Sequence, residues 1–279
     1  MFVPTSYDRE SDSNVSQTVP GLRKVSVHRL DAVAPQDDWV AEEVPIALVY
    51  NGISHAVMMA TPADLEDFAV GFSLTEGIVP DLSHVYSVEV KPACRGIEVA
   101  VEISQERFWA LKTHRRSMVG RTGCGICGTE SLDGLARVSR RLEKTQTFDM
   151  RHYERAMGYL HDVETIGSLS GCTHAAVWVG SDGQFVCGAE DVGRHVALDK
   201  LLGKRASLGI TDGVLVVSSR ASYEMIQKAA MCGVEVIFAV SAPTAMAIDL
   251  AERTGVTLAA FCRNGRCSVY THPDRLLGL

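Results

Sequence analysis

No stretch of the 279-residue chain approaches the roughly 20 apolar residues that span a bilayer. Its first residues, MFVPTSYDRESDSNVSQTVP, carry no basic segment followed by an apolar run, so they do not read as a secretory signal. A cytoplasmic protein without a membrane anchor is therefore expected. Positive charge is also short. Lys and Arg number 27 against 34 Asp and Glu, a net charge of −7. A field of that sign does not draw in nucleic acid, and an anionic ligand would need a local basic patch. Internal repeats are absent, and so is a second Cys-x-x-Cys. The eight cysteines are Cys94, Cys124, Cys127, Cys172, Cys187, Cys232, Cys262 and Cys267. A cytosolic chain of this length needs no disulfides, and several of these sit in apolar runs where cysteine acts as a small hydrophobe. What is present is ordinary globular material, 46% hydrophobic and 22% charged. That is enough for one large domain or two modest ones.

Residues 1–20 read as a polar, disordered tail. A strand is expected over 25–30, and a hairpin over 44–50 and 53–59 around Asn51-Gly52. Thr61 and Pro62 are expected to cap and open a helix to about Glu76. Strands follow at 85–90 and 97–103. The stretch KTHRRSMVGRTGCGICG, 112–128, reads as a basic, glycine-rich loop. Helices are expected at 131–142 and 149–160. The second half then reads as a hairpin (174–179, 184–187), a helix (192–202), a buried strand (213–218), a helix (222–232), a buried strand (234–240), a helix (243–253) and two last strands (257–261, 267–270). Strands alternating with helices imply an α/β fold, a three-layer mixed sheet, with a smaller N-terminal α+β subdomain. The division expected is a tail to 20, an α+β part at 21–150 carrying the cysteine pair, and an α/β part at 151–279.

Cys124 and Cys127 form the sharpest chemical motif, Thr122-Gly123-Cys124-Gly125-Ile126-Cys127-Gly128. The glycines leave the sulfurs little cover, and Arg115, Arg116 and Arg121 stand close in sequence. Cationic neighbours favour the thiolate, the reactive form. A thiolate can take the outer sulfur of a persulfide, and a second cysteine can release it or carry it. Two other readings stay open. The pair could be half of a structural zinc site, with His114, His174, His195 or Cys172 completing it, or a thioredoxin-like redox pair, although a basic loop rather than a strand precedes it.

Three strand-to-helix turns carry polar groups. Glu190-Asp191-Val192-Gly193-Arg194-His195 opens a helix. Arg194 and His195 could hold a phosphate or a ring edge, or simply make internal hydrogen bonds while the acids cap. Ser218-Ser219-Arg220-Ala221-Ser222 and Ser241-Ala242-Pro243-Thr244 each follow a buried strand, where open sheets bind ligands, although capping by Ser222 is the commoner use of such a residue. Phe261-Cys262-Arg263-Asn264-Gly265-Arg266 reads as a tight turn with a cation on each side, a solvated hairpin or an arginine clamp. Together these turns suit a nucleotide-like ligand.

Five blocks in order, from Glu42 to Thr75, Arg121 to Gly128, Gly188 to Gly203, Ser218 to Lys228 and Leu258 to Pro273, closely resemble the formate dehydrogenase accessory sulfurtransferase family, FdhD/NarQ. The resemblance implies a homodimer with a fold similar to cytidine deaminases. It implies that sulfur arrives as a persulfide from a cysteine desulfurase. It further implies delivery to the bis(molybdopterin guanine dinucleotide) form of the molybdenum cofactor, bound as substrate, for formate dehydrogenase. Cys124 would carry the persulfide with Cys127 as partner. Phe261, Cys262, Arg263, Asn264, Gly265 and Arg266 would bind the cofactor, with Arg194, His195, Ser219 and Arg220 added from their strand-end positions. No resident metal is expected, and neither nucleic acid nor membrane is an expected partner. Cys262 and Cys267 lie outside the sulfur-carrying motif and are read as incidental. A zinc deaminase is disfavoured because Gly123, not Pro, precedes Cys124. A non-covalent cofactor chaperone with structural cysteines is the alternative.

Overall fold

The computed structural model describes residues 20–30, 32–118 and 141–279. Cys124 and Cys127, the tail to residue 19 and most of the expected helix at 131–142 lie outside them; Arg141 and Leu142 are described and are not helical. The chain opens with an antiparallel ribbon, β1 (Leu22–Val27) with β2 (Gln36–Ala41). Next come β3 (Val44–Tyr50), β4 (Ile53–Ala60), α1 (Leu65–Thr75), β5 (Val85–Ala93), β6 (Gly96–Ile103) and α2 (Gln105–Met118). The β3–β4 turn has Asn51 at φ 44° and Gly52 at φ 78°. Positive φ at both central residues gives the turn that matches strand twist. These strands order as β4-β3-β6-β5, with β3 parallel to β6.

The second half runs through β7 (Phe148–Asp149), α3 (Tyr153–Val163), α4 (Gly167–Ser170), β8 (His174–Val179), β9 (Phe185–Asp191), α5 (Arg194–Ser207), β10 (Val214–Val217), α6 (Tyr223–Met231), β11 (Val236–Ala239), α7 (Ala245–Thr254), β12 (Thr257–Arg263), β13 (Arg266–Val269) and β14 (Leu276–Leu277). Six of its strands make a mixed sheet in the order β13-β12-β11-β10-β8-β9, and β14 returns to pair with β7. Side chains of a strand alternate faces, so both faces of this sheet need cover. Val214, Val216, Val236 and Phe238 pack with Tyr153, Ala156 and Leu160 of α3. Leu215, Val217, Ile237 and Ala239 pack on the other side with α5, α6 and α7. The fold is mixed α/β with the expected three layers about this sheet.

Helix α1 joins the halves. One face of α1, Leu65, Phe68, Ala69 and Phe72, packs on Ile46, Leu48, Val99 and Val101 of the four-stranded sheet. Burying a residue such as Phe68 stabilises by about 1.5–3 kcal/mol. On the α5 side, a Cβ on Gly71 would lie 1.7 Å from the Asp199 carbonyl oxygen, and one on Gly203 1.9 Å from that of Asp67. The two helices therefore touch backbone to backbone, which only glycine permits at both positions.

Two buried ion clusters sit along the same seam. Asp191 Oδ2 accepts from Thr61 N (2.9 Å), Thr61 Oγ1 (2.8 Å) and Lys200 Nζ (2.7 Å), while its Oδ1 accepts from Gly193 N (2.8 Å). Lys200 and Asp191 are wholly buried. In the second cluster, Lys228 Nζ donates to both Asp199 oxygens (3.0 and 2.9 Å), to Glu76 Oε1 (2.9 Å) and to Thr75 Oγ1 (3.0 Å). Buried charges persist only when paired and hydrogen-bonded, and these are.

Several expectations need correction. Thr61 does not cap α1; its hydroxyl serves Asp191, and the helix starts at Leu65 after Asp64 at φ 52°. Residues 112–118, expected in a loop, are helical, because Phe108 and Leu111 seat α2 against the core and Arg107 donates to the carbonyls of Gly77 and Ile78. The helix expected from 149 begins as a 3-10 turn, Met150–His152, and becomes α3 at Tyr153. Strand β2 was not expected at all.

Candidate ligand crevice at the strand ends

Strands β10, β11 and β12 are parallel, so their carboxyl ends lie on one edge, the usual ligand edge of an open α/β sheet. Antiparallel pairing of β8 with β10, and of β9 with β8, brings the start of β8 and the end of β9 to that edge as well. Main-chain hydrogen bonds tie the three turns into a row. Ser241 N–H donates to Ser219 O (3.4 Å), and Phe261 N–H donates to Ser241 O (3.1 Å). Further out, Ala221 N–H donates to Ala242 O (3.2 Å) and Thr244 N–H to Ala221 O (3.0 Å). The turns singled out in the sequence are thus neighbours.

At one end of the row stand Arg194, the first residue of α5, and Arg220, which is exposed. His174, at the start of β8, lies in the field of both. Burial holds its pKa below the usual imidazole range, and the two guanidinium groups push the same way. His195 is pushed down to about 4, by burial first and then by Arg194. Its Nε2 lies 3.3 Å from Glu224 Oε2, close but off the line of a hydrogen bond. At neutral pH His195 is uncharged, and an uncharged ring can donate or accept. The positive charge here comes from the arginines, since Lys228 is engaged by Asp199 and Glu76.

The bland readings hold for some residues and fail for others. Glu190 accepts from Ile166 N (2.8 Å), Gly167 N (2.5 Å) and Thr173 Oγ1 (2.5 Å), and Asp191 holds the seam, so both acids are structural, but neither caps α5 as expected. Thr244 caps α7, accepting from Ala247 N at 3.3 Å. Ser222 stands at the cap position of α6 but makes no side-chain cap; its hydroxyl meets Glu224 Oε2 at 3.2 Å. Ser219 is nearly buried and donates from Oγ to its neighbour's carbonyl, Arg220 O, at 3.1 Å. It contributes backbone to the row more than a free hydroxyl.

The other end of the row is the β12–β13 hairpin. Asn264 (φ 52°) and Gly265 (φ 70°) make its two-residue turn, with Arg263 and Arg266 exposed on either side. Tyr153 Oη donates to Arg266 O at 2.7 Å and anchors the turn to α3. The pairing slips by one residue between Ala260 and Arg263, and Phe261 sits at φ 54°, 40% exposed. This bulge has a direct effect on side chains. Ala259 faces α3 and Ala260 faces the opposite helices, so unbroken alternation would send Cys262 to the side of Ala260. The extra residue turns Cys262 back to the α3 face, beside Cys267.

Arg194, His195, Ser219, Arg220 and the 261–266 segment therefore border one edge. His174 and Glu224 were missed as members, because His174 reaches the edge only through the β8–β10 pairing. The sequence does contain one His-x-Glu, His152-Tyr153-Glu154, but His152 packs edge-on to Phe148. Among the described residues no cluster of three or more His, Cys, Asp or Glu is placed to hold a metal ion. No helix among them is long and apolar enough to cross a membrane.

The model of the FdhD/NarQ family matches residues 41–277. A crystal structure from Desulfotalea psychrophila, provisionally described as a formate dehydrogenase accessory protein, is similar with a TM-score of 0.71 and 23% identity, covering 92% of this chain and 98% of that one. At that identity the likeness speaks for the fold.

Proposed function

The chain belongs to the FdhD/NarQ family, and from that premise we propose that it matures formate dehydrogenase by passing sulfur to the enzyme's molybdenum cofactor. The observation that carries this reading is the row of strand ends, with Arg194 and Arg220 at one end and Arg263 and Arg266 at the other. Paired cations about an edge of backbone groups suit an elongated anion, such as the pyrophosphate arms of a molybdopterin guanine dinucleotide. Arg220, Arg263 and Arg266 are exposed along this edge although the whole chain carries −7, which suits a large anionic substrate.

In this reading a cysteine desulfurase transfers its persulfide sulfur to Cys124. Cys127 supports the transfer, and the sulfur then passes to cofactor held at the edge. The cell compartment is the cytoplasm, and the working unit is a homodimer. Neutral His195 and His174 can hydrogen-bond cofactor without adding charge. The test is intact-mass spectrometry after incubation with a desulfurase and cysteine. The native chain should gain the mass of one sulfur, and Cys124→Ala should not. A native chain that gains none beside an active desulfurase would favour a cofactor chaperone with structural cysteines.

A further inference from the structure

Six of the eight cysteines fall among the described residues: Cys94, Cys172, Cys187, Cys232, Cys262 and Cys267. Cys262 and Cys267 are the two whose sulfurs are in contact there, 3.6 Å apart across the β12–β13 hairpin. A disulfide needs about 2 Å between sulfurs, with the Cα atoms about 4.4–6.8 Å apart, and opposed positions of a hairpin suit that span. The contact is a product of the bulge, since a regular strand would place the two sulfurs on opposite faces of the sheet. The pair also differs within itself. Cys262 is fully buried, while Cys267 is partly open to solvent. The hydrogen bond between them raises the Cys262 thiol and lowers that of Cys267, so Cys267 is the more acidic of the two. Their hairpin borders the crevice, one residue on from the Phe261 amide that completes the main-chain row.

We propose that Cys262 and Cys267 form a second thiol site, a resident dithiol that reduces the sulfane sulfur of a persulfide to hydrosulfide. The Cys267 thiolate attacks the outer sulfur of a persulfide RS–SH. The S–S bond of the donor breaks, RS⁻ leaves and takes a proton, and Cys267 carries the sulfur as its own persulfide. With Cys267 capped, the hydrogen bond that holds up the Cys262 thiol is lost. Cys262 gives up its proton and attacks Cys267 Sγ, the bond to the outer sulfur breaks, and hydrosulfide departs. The sulfur has gained two electrons and the dithiol has lost two, closing to a disulfide. A small thiol such as glutathione reopens it by exchange. A sulfido ligand is sulfur at this reduced level, whereas a persulfide delivers it two electrons higher. The inference uses the sulfur-transfer reading only for the source of the persulfide.

The experiment treats the reduced full-length chain with glutathione persulfide under anaerobic conditions. Released sulfide is measured, and peptides are mapped after alkylation. The native chain should release roughly one equivalent of sulfide above the reagent blank and yield a Cys262–Cys267 cross-linked peptide. Cys267→Ser should lose both signals. Cys262→Ser should retain the added sulfur on Cys267 and release none. The same sulfide release in native chain and both variants, or no Cys262–Cys267 cross-link in the native chain, would overturn the proposal. The cross-link is read with Cys262 and Cys267 both in place, so it stands even if a buried substitution at 262 fails to fold. Cys124 and Cys127 can themselves take up and release persulfide sulfur, so every arm is read in a chain with Cys124→Ala and Cys127→Ala, where the Cys262–Cys267 cross-link and its sulfide should persist. This separates the two readings: failed loading by a desulfurase sinks the proposed function, and a missing cross-link sinks the dithiol.

Discussion

The seam between the halves and the crevice beside it use the same kinds of residue to opposite ends. In the seam, Lys200 and Asp191 are wholly buried and each is satisfied by Thr61 or by the other. In the crevice, Arg194 and His195 are half-buried, Arg220 is exposed, and His195 Nε2 lies 3.3 Å from Glu224 Oε2. Only a few residues separate Asp191 from Arg194. Matched and dry charge fixes geometry, whereas an exposed cation such as Arg220 at a wet edge suits an anion. The contrast shows how one acidic-basic motif is divided between holding the loop and offering its cations.

The sharpest way to break this contrast is to remove one partner in the seam. Lys200→Met leaves Asp191 buried without its cation and should lower stability by about 3–5 kcal/mol. The denaturation midpoint in urea should fall accordingly, and an unchanged midpoint would mean that the seam is not dry. At the crevice the converse is expected. Arg194→Ala combined with Arg220→Ala should weaken binding of guanosine diphosphate, a probe for one arm of the cofactor, by about tenfold or more, the worth of a charge-assisted hydrogen bond. Stability should change far less than in the seam variant. Binding measured calorimetrically at two salt concentrations checks this, and an equal loss of stability would erase the distinction. The smallest effect is that of His195. Its pKa of about 4 in the folded chain lies below the ordinary 6.5. Between those values the unfolded chain binds a proton that the folded chain refuses, so stability should fall as pH drops from about 6.5 toward 4. His195→Gln should flatten that part of the pH–stability curve, and a parallel curve would show that the ring is freely solvated.

Much of the architecture was legible where local chemistry and tertiary structure agree. Asn51-Gly52 specified its hairpin because the turn needs positive φ at both residues. The apolar runs at 213–218 and 234–240 read as buried strands, and strands stand there at 214–217 and 236–239, because helices cover both faces of the sheet. Legibility failed where a distant partner decides. Thr61 has the chemistry of a helix cap, but Asp191, 130 positions away, claims its hydroxyl. Strand β2 reads Gln-Asp-Asp-Trp-Val-Ala, too polar to suggest a strand, and forms because β1 offers a paired edge. Basic residues at 112–116 suggested a loop, yet the apolar residues just before them hold the segment in α2. For the crevice, the arginines and turns were visible, but His174 needed the strand order. The meeting of Cys262 with Cys267 needed the bulge, a feature of register that side-chain identities do not announce.

The row that joins the three strand ends is made from main-chain atoms, and this sets which mutations the edge can absorb. In a saturation scan, positions 219 and 241 should accept many side chains as far as the row itself is concerned, because the bonding atoms belong to every amino acid. Proline at 241 or 261 stands apart, since each supplies an N–H to the row and proline has none. Related chains could thus change much of the lettering along this edge and keep the shape that faces the ligand, while the backbone direction at each turn stays under selection.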